Sequence, residues 1–204
     1  MPERARAIRT AVPALVAAGL LLTACGTTPK PDDRAAGAAP RKTTAPAAEA
    51  AATLGGSGTA CALPVSFALA EGWEPKAVKD PENPEFAALT RQGPAVVRCE
   101  VDAKPAGNIG YLRVWTAPKG PAWAALEGFV RAEKGSSAVT FRETRAGALP
   151  ATEVTYTVHD KEERAFAVAT PEGTVIVHLG GLDADEHRAM LPAYELAKST
   201  TKAG

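Results

Sequence analysis

The first 25 residues constrain this chain more than any other stretch, because they determine which residues remain in the mature protein. Arg4, Arg6 and Arg9 precede an apolar run from Ala11 to Leu22. As a helix, a run of about twelve residues spans only ~18 Å, which is short of the ~30 Å hydrocarbon core of a bilayer. The run is therefore typical of the apolar core of an export signal and too short for a membrane-spanning helix.

A cysteine follows this run, in the sequence Leu22-Thr23-Ala24-Cys25. The tetrapeptide resembles the lipobox of bacterial lipoproteins, in which the cysteine is diacylated and the preceding peptide is removed. The resemblance implies that residues 1–24 are a signal peptide. It also implies that acyl chains such as palmitate on Cys25 anchor the mature protein in the lipid bilayer, at the extracytoplasmic face of the cell membrane. In the alternative, an ordinary secretory peptide would be cleaved after Ala24 and would leave Cys25 as a free thiol.

The charge of the chain is balanced. Its 204 residues include 23 Lys and Arg and 23 Asp and Glu, and removal of residues 1–24 leaves 20 basic and 22 acidic residues. A mature chain with a net charge of −2 offers no basic patch for a phosphate backbone. We therefore expect no nucleic-acid partner.

Residues 25–60 are predicted to be a linker. Ala, Thr, Pro, Gly and charged residues dominate the segment, and Leu54 is its only large aliphatic residue. Such a composition cannot bury enough apolar surface to offset the entropy that ordering would cost. We therefore predict a lipidated Cys25, a disordered linker to residue 60 and a folded extracytoplasmic domain over residues 61–200.

Two cysteines remain when Cys25 is set aside. Cys61 and Cys99 form an even pair in an exported protein, which favours a disulfide between them. The alternative is two separate buried thiols. No second cysteine stands two to four residues from either one, so the spacing does not favour a metal site.

Alternating apolar residues predict strands in the folded domain. Residues 95–102 alternate most clearly, with Val97, Cys99 and Val101 on one face. Short turns separate the later extended segments, which indicates an antiparallel meander. The other segments are residues 63–69, 109–115, 139–144, 153–158, 163–169 and 174–179.

Two helices are predicted beside the strands. Pro121 can serve as the first helical residue of one, because its missing N–H has no partner at that position. Asp183 caps the second, while Glu186 reaches back in a capping-box arrangement. Pro192 either kinks this helix or begins another. The order of the elements indicates an α+β fold, with helices packed against an antiparallel sheet.

The segment Val65-Ser66-Phe67-Ala68-Leu69-Ala70-Glu71-Gly72-Trp73 resembles the opening strand and Pro-x-Gly-Trp turn of the Mog1/PsbP-like lipoproteins of high-GC Gram-positive bacteria. Ala70 stands where that family often has proline. The resemblance covers residues 61–200, and the whole chain also resembles a group of uncharacterised lipoproteins from the same lineage. It implies an antiparallel sheet of about six to seven strands with two helices packed on it. It carries over no catalytic residue.

Potential metal ligands cluster in Asp183-Ala184-Asp185-Glu186-His187, with His178 on the preceding strand. Consecutive helical positions point in different directions, and acids are favoured near a helix N-terminus, so helix capping explains the cluster better than a metal site. The chain has no Gly-x-Ser-x-Gly motif that would mark a nucleophile. We therefore predict no metal site, no cofactor and no enzymatic activity.

Tyr111, Arg113 and Trp115 share one face of a predicted strand. If the helices cover the opposite face, these side chains are exposed together, and aromatic residues beside arginine are typical of a contact surface. In the alternative, Trp115 and Trp123 both belong to the core, with Trp115 under a loop.

The sequence thus predicts a non-enzymatic binding or interaction module of the cell envelope, whose partner is a protein, a polymer or a small ligand. Two other functions stay open. One is a cell-envelope enzyme with an unmarked active site, and the other is an accessory subunit of a membrane assembly.

A Cys25→Ala variant tests the anchor. Without the thiol no acyl chain can be attached, so we expect the protein in the culture medium or as an unprocessed precursor. Cell fractionation and the mass of the mature N-terminus measure this. A processed variant that stays bound to the membrane would contradict the lipidation.

Overall fold

Two antiparallel sheets, two α-helices and two short 3-10 helices (Pro84–Thr90 and Lys104–Ala106) form in residues 46–204, the part of the chain that the computed structural model describes. No helix in this part is both long and apolar enough to cross a membrane. The helices are α1 (Ala122–Ala132) and α2 (Ala184–Thr200). The strands are β1 (Ala50–Gly55), β2 (Val65–Ala70), β3 (Glu74–Ala77), β4 (Arg91–Gln92), β5 (Ala95–Asp102), β6 (Tyr111–Ala117), β7 (Ser136–Ala146), β8 (Leu149–Val158), β9 (Lys161–Ala169), β10 (Thr174–Gly180) and β11 (Lys202–Ala203).

The larger sheet has the strand order β3-β5-β6-β10-β9-β8-β7, with β4 paired to β5. Strands β7 to β10 follow one another as an antiparallel meander, and β10 also pairs with β6. The turn between β8 and β9 carries His159 and Asp160 at φ of 47° and 65°, in the left-handed region that tight hairpin turns require. The α+β fold with an antiparallel sheet is therefore confirmed.

The smaller sheet has the strand order β1-β2-β11, and because it includes β1 the folded domain begins before residue 61. The prediction that a linker extends to residue 60 is wrong, because β1 lies at Ala50–Gly55 and pairs with β2. Backbone hydrogen bonds to β2 hold β1 in the sheet, and the one large side chain of β1, Leu54, is fully buried. Gly55 has φ of +87°, and a Cβ there would lie 1.9 Å from the carbonyl oxygen of Val65. Cys25 and residues 26–45 lie outside the described residues.

A disulfide joins Cys61 to Cys99, with the two Cα atoms 5.9 Å apart. Both residues are buried. Cys61 lies between β1 and β2 of the smaller sheet, and Cys99 lies on β5 of the larger sheet. The bond therefore links the β1–β2 connection to the larger sheet, and the disulfide predicted from the sequence is confirmed.

The two faces of the larger sheet are covered by different elements. On one face, Leu112 and Val114 of β6 belong to a core that includes α2 and the smaller sheet. On the other face, Trp115 of β6 belongs to a second core that includes Leu126 and Phe129 of α1. The two helices therefore lie on opposite faces, and Tyr111, Arg113 and Trp115 do not lie on a bare face. Alternation along each strand sends side chains into both cores.

Helix α2 continues through Pro192, so the second helix that proline could have begun does not form. Met190 before the proline and Tyr194 and Ala197 after it are all buried against the sheet. Tyr194 meets Phe166 edge to face, with ring centroids 5.6 Å apart. This packing on both sides of the proline outweighs the one backbone hydrogen bond that it cannot donate.

A buried carboxylate holds α2 to the sheet. Glu153 of β8 accepts hydrogen bonds from Tyr194 Oη at 2.8 Å and Lys198 Nζ at 2.9 Å, and it also accepts from Arg142. Burial alone raises the pKa of Glu153, but the hydrogen bonds from Lys198 and Arg142 outweigh it and leave the pKa below its ordinary value. The carboxylate is therefore charged and fully paired on this face.

A variant with Cys61→Ala and Cys99→Ala tests the covalent link. The disulfide closes a loop of about 39 residues, so its loss lowers the free energy of unfolding by roughly 4 kcal/mol in the chain-entropy model. Urea titration of the variant and of the oxidised wild type measures the difference. Alkylation of both thiols in the unfolded, unreduced wild type, to the extent seen in the reduced protein, would contradict the bond.

Candidate ligand-binding cleft

Helix α1 covers only part of the sheet face on which it lies. Its 11 residues span about 16 Å, and its buried side chains Leu126 and Phe129 pack over part of that face. Another part forms the floor of an open cleft of about 640 Å³. This volume lies within the range of small-ligand sites in proteins.

Strand register brings the residues of the cleft floor together. Tyr156 of β8 lies opposite Glu163 of β9, and Gly180 of β10 lies opposite Tyr111 of β6. All four residues line the cleft. Gly180 leaves a gap in this row, because a Cβ there would lie only 3.2 Å from Oε2 of Glu163. The missing side chain thus keeps the space beside the carboxylate open.

His178 lies between a tyrosine and a glutamate on this floor. Its Nε2 is 3.2 Å from Tyr156 Oη and 2.9 Å from Glu163 Oε2. Only the contact with tyrosine has hydrogen-bond geometry, and Glu163 Oε2 is buried without a hydrogen-bond partner among the described residues. Burial first, and then the charges of Glu163 and Glu133, raise the pKa of Tyr156 well above its ordinary value. The tyrosine is therefore neutral, and Oε2 of the carboxylate receives no hydrogen bond from the described residues.

Trp115 supplies an unpaired donor to the same cleft. The side chain is buried, and its ring meets Phe129 of α1 edge to face at 5.3 Å between centroids. The indole Nε1 has no hydrogen-bond partner among residues 46–204. A buried donor without a partner costs free energy, so both Trp115 and Glu163 leave polar capacity that the fold itself does not use.

The structure brings Tyr111, Arg113 and Trp115 together as one wall of the cleft. Arg113 donates from Nε to Glu100 Oε1 at 2.8 Å, and its guanidinium carbon lies 5.1 Å from the centre of the Tyr111 ring. Tyr111 and Arg113 are half-buried, whereas Trp115 is buried under α1. The predicted flat contact surface is therefore a recessed wall, and a helix covers Trp115 where the alternative reading of the sequence placed a loop.

Exposed apolar side chains surround the mouth of the cleft. Leu89, Ile109 and Leu182 are 79%, 57% and 58% exposed, and all three line it. Trp123, which was placed in the core as an alternative, is 45% exposed and meets Phe141 instead. Large apolar residues grouped around one opening are typical of a place where another molecule binds.

Glu186 in the first turn of α2 holds the rim in place. Its carboxylate accepts hydrogen bonds from the backbone N–H groups of Ile109, Gly110 and Leu182. Asp183 caps the helix as predicted, accepting from two backbone N–H groups. Glu186 does not complete the predicted capping box, because its partners come from the rim and not from Asp183.

The described residues include no group of three His, Cys, Asp or Glu side chains placed to hold a metal ion. In the predicted cluster His187 is buried, and neither ring nitrogen has a hydrogen-bond partner among the described residues. Its Nε2 lies 3.5 Å from Glu162 Oε1, which is too far for a well-formed hydrogen bond. His178 lies in the cleft floor with other partners.

Two residues of the cleft, Tyr156 and Glu163, were not identified from the sequence. Glu163 stands in the same phase of β9 as Ala165 and Ala167, which are buried. An acidic residue at a strand position that faces the core is unusual, and this was the one sequence signal that could have identified Glu163. The pairing of β8 with β9, which places Tyr156 opposite, cannot be read from either strand alone.

Comparison with known proteins gives a family and a solved structure to which the chain is similar. A family model described as uncharacterised lipoprotein matches residues 31–201, more than four fifths of the chain. The chain is also similar to the solution structure of cyanobacterial PsbP (CyanoP) from Synechocystis sp. PCC 6803. The sequences are 13% identical, the TM-score is 0.45, and the similarity covers 74% of this chain and 97% of that chain. No curated protein matches the sequence.

The buried His187 predicts how stability depends on pH. Burial lowers the pKa of His187 in the folded protein, so the unfolded chain takes up this proton first as the pH falls. The free energy of unfolding should therefore decrease as the pH falls below the pKa of an unfolded histidine, about 6.5. Urea titrations at neutral pH and near pH 5 should show a smaller decrease for His187→Leu than for the wild type.

The matched control for this prediction is His159→Asn. His159 is exposed in a hairpin turn with φ of 47°, a conformation that asparagine tolerates. This variant should keep the full decrease in stability. A full decrease in His187→Leu as well would contradict the assignment to His187.

Proposed function

The chain belongs to a family of uncharacterised lipoproteins, and on that basis we propose that it is a non-enzymatic binding module of the cell envelope that receives a ligand in the cleft beside α1. Its membership in the family confirms the lipoprotein resemblance drawn from the sequence. Acyl chains on Cys25 would hold the module at the extracytoplasmic face of the cell membrane. Two such chains are enough for stable anchoring.

The observation that carries this proposal is the pair of unused polar groups in the cleft. Trp115 Nε1 and Glu163 Oε2 are both buried and both lack a partner among the described residues. Each such group costs the fold about 1 to 3 kcal/mol, and a ligand that pairs with it removes that cost. Elsewhere the same protein pairs its buried carboxylate fully, as Glu153 does with Tyr194 and Lys198.

The apolar rim supports binding in a second way. Leu89, Ile109 and Leu182 leave apolar surface in contact with water around the mouth. Burial of that surface by a ligand is favourable by about 25 cal/mol for each Å² removed from water. The half-buried Tyr111 and Arg113 provide a wall of the kind that often dominates binding energy.

An enzyme is the competing function, and the contact of His178 with Tyr156 and Glu163 is the observation that favours it. A histidine held between a phenol and a carboxylate can act as a general acid or base. However, among the described residues none of those that line the cleft is Ser, Thr or Cys. A mechanism with such a nucleophile therefore has no candidate there, and binding explains the polar groups more simply.

Photo-crosslinking in intact cells tests the binding function. A benzoylphenylalanine at Leu182 or Leu89 stands at the mouth of the cleft, and the same residue at Val139 stands on an exposed strand that does not line it. After irradiation, the purified protein should carry one added mass at the first two positions and none at Val139. Mass spectrometry of the intact protein and its peptides measures this.

The comparison with Val139 shows whether the cleft binds a ligand more than another exposed apolar position does. Equal labelling at Val139 would mean that the cleft is not favoured over another exposed apolar position. Absence of any adduct at both Leu182 and Leu89 would also contradict a ligand bound in the cleft.

A further inference from the structure

The charged residues of the cleft leave an excess of negative charge. Three glutamates line it, Glu100, Glu133 and Glu163, against two cations, Arg113 and Lys161. Arg113 is already paired with Glu100 at 2.8 Å. Counted over its Glu, Arg and Lys residues, the lining therefore has a net charge of −1, which comes from Glu133 and Glu163 against Lys161. The field at the floor favours a cation over an anion.

Glu163 is the place where a cation would be held. The residue is 9% exposed, and its nearest polar neighbour is His178 Nε2 at 2.9 Å. That nitrogen carries at most one proton, and it also contacts Tyr156 Oη at 3.2 Å. One N–H cannot satisfy both neighbours and the remaining lone pairs of the carboxylate. A buried carboxylate in this state gains most from a donor that is itself charged.

A donor would approach the carboxylate from the side of Gly180, because Oε2 itself is buried and the Glu163 side chain is 11% exposed. Gly180 has no side chain beside Glu163, and a Cβ there would lie 3.2 Å from Oε2. Tyr111 and Tyr156 also line the cleft, with Arg113 already placed 5.1 Å from the centre of the Tyr111 ring. An ammonium brings three donors and a positive charge, which matches the unpaired carboxylate.

The remainder of the ligand is apolar. Leu89, Ile109 and Leu182 surround the mouth and are largely exposed. The cleft of about 640 Å³ has the size of sites that take small molecules.

We infer that the ligand is a small organic amine, whose ammonium group binds Glu163 and whose apolar body lies against Leu89, Ile109 and Leu182. The inference rests on the proposed binding function and adds the chemical class of the ligand. The crosslinking experiment leaves Glu163 unchanged. The binding function and the amine class of the ligand can therefore be contradicted separately.

Binding of benzylamine and of benzyl alcohol to the mature, acylated protein in detergent micelles tests the inference. The two probes match in size and in their apolar ring, and only benzylamine is cationic at neutral pH. The indole N–H signal of Trp115 in ¹⁵N NMR, assigned with Trp115→Phe, reports occupancy. Benzylamine should bind at least tenfold more tightly than benzyl alcohol.

Glu163→Gln keeps the size of the side chain and removes its charge. This variant should lose the preference for benzylamine and should bind benzyl alcohol as the wild type does. Glu172→Gln is the matched control, because Glu172 is an exposed acid in the turn between β9 and β10. Thermal unfolding checks the fold of each variant. Gly180→Ser, which fills the space beside Glu163, is a second variant that should weaken benzylamine binding.

Several results would overturn the inference. Equal affinity for the two probes, or unchanged benzylamine affinity in Glu163→Gln, would remove the role of the carboxylate and leave the cleft as a binding site for neutral molecules. Failure of both probes to shift the Trp115 signal would exclude a small aromatic amine at this floor. Tighter binding of Nα-acetyl-lysine methylamide than of benzylamine would indicate that the natural ligand is a lysine side chain of a protein. That result would overturn the inference that the ligand is a small molecule.

Discussion

The structure depends on the need to cover both faces of one large sheet. Strands such as β6 send Leu112 and Val114 to one side and Trp115 to the other, so each face is apolar and each must be removed from water. Helix α2 and the smaller sheet cover the first face. Helix α1 has 11 residues and is too short to cover the second. The part of that face beyond the helix carries polar and aromatic residues and forms the cleft.

The two faces treat buried polar groups in opposite ways. Under α2, the carboxylate of Glu153 receives hydrogen bonds from Tyr194, Lys198 and Arg142, and it fastens the helix to the sheet. Beside α1, Glu163 and the indole of Trp115 are buried without such partners among the described residues. The fold thus pairs one buried carboxylate completely and donates no hydrogen bond to Oε2 of the other. This contrast is the physical basis of the proposed binding function.

Much of the architecture could be predicted from local sequence patterns, because they act over a few neighbouring residues. Alternation in β5 marked a buried Cys99, and Asp183 marked the start of α2. Prediction failed where a distant partner decides the outcome. Strand β1 has little apolar side chain of its own and exists because β2 offers it backbone hydrogen bonds. Helix α2 passes Pro192 because the sheet holds it on both sides.

The sequence by itself determined the resemblance to lipoproteins, the alternation that makes an α+β fold and the two cysteines available for a disulfide, since each is written in consecutive or countable residues. Only the tertiary structure decided which residues form the cleft. Tyr156, Glu163, His178 and Arg113 come from four strands, and their meeting depends on strand order and register. Those are set by the packing of both faces at once, and no single segment contains that information.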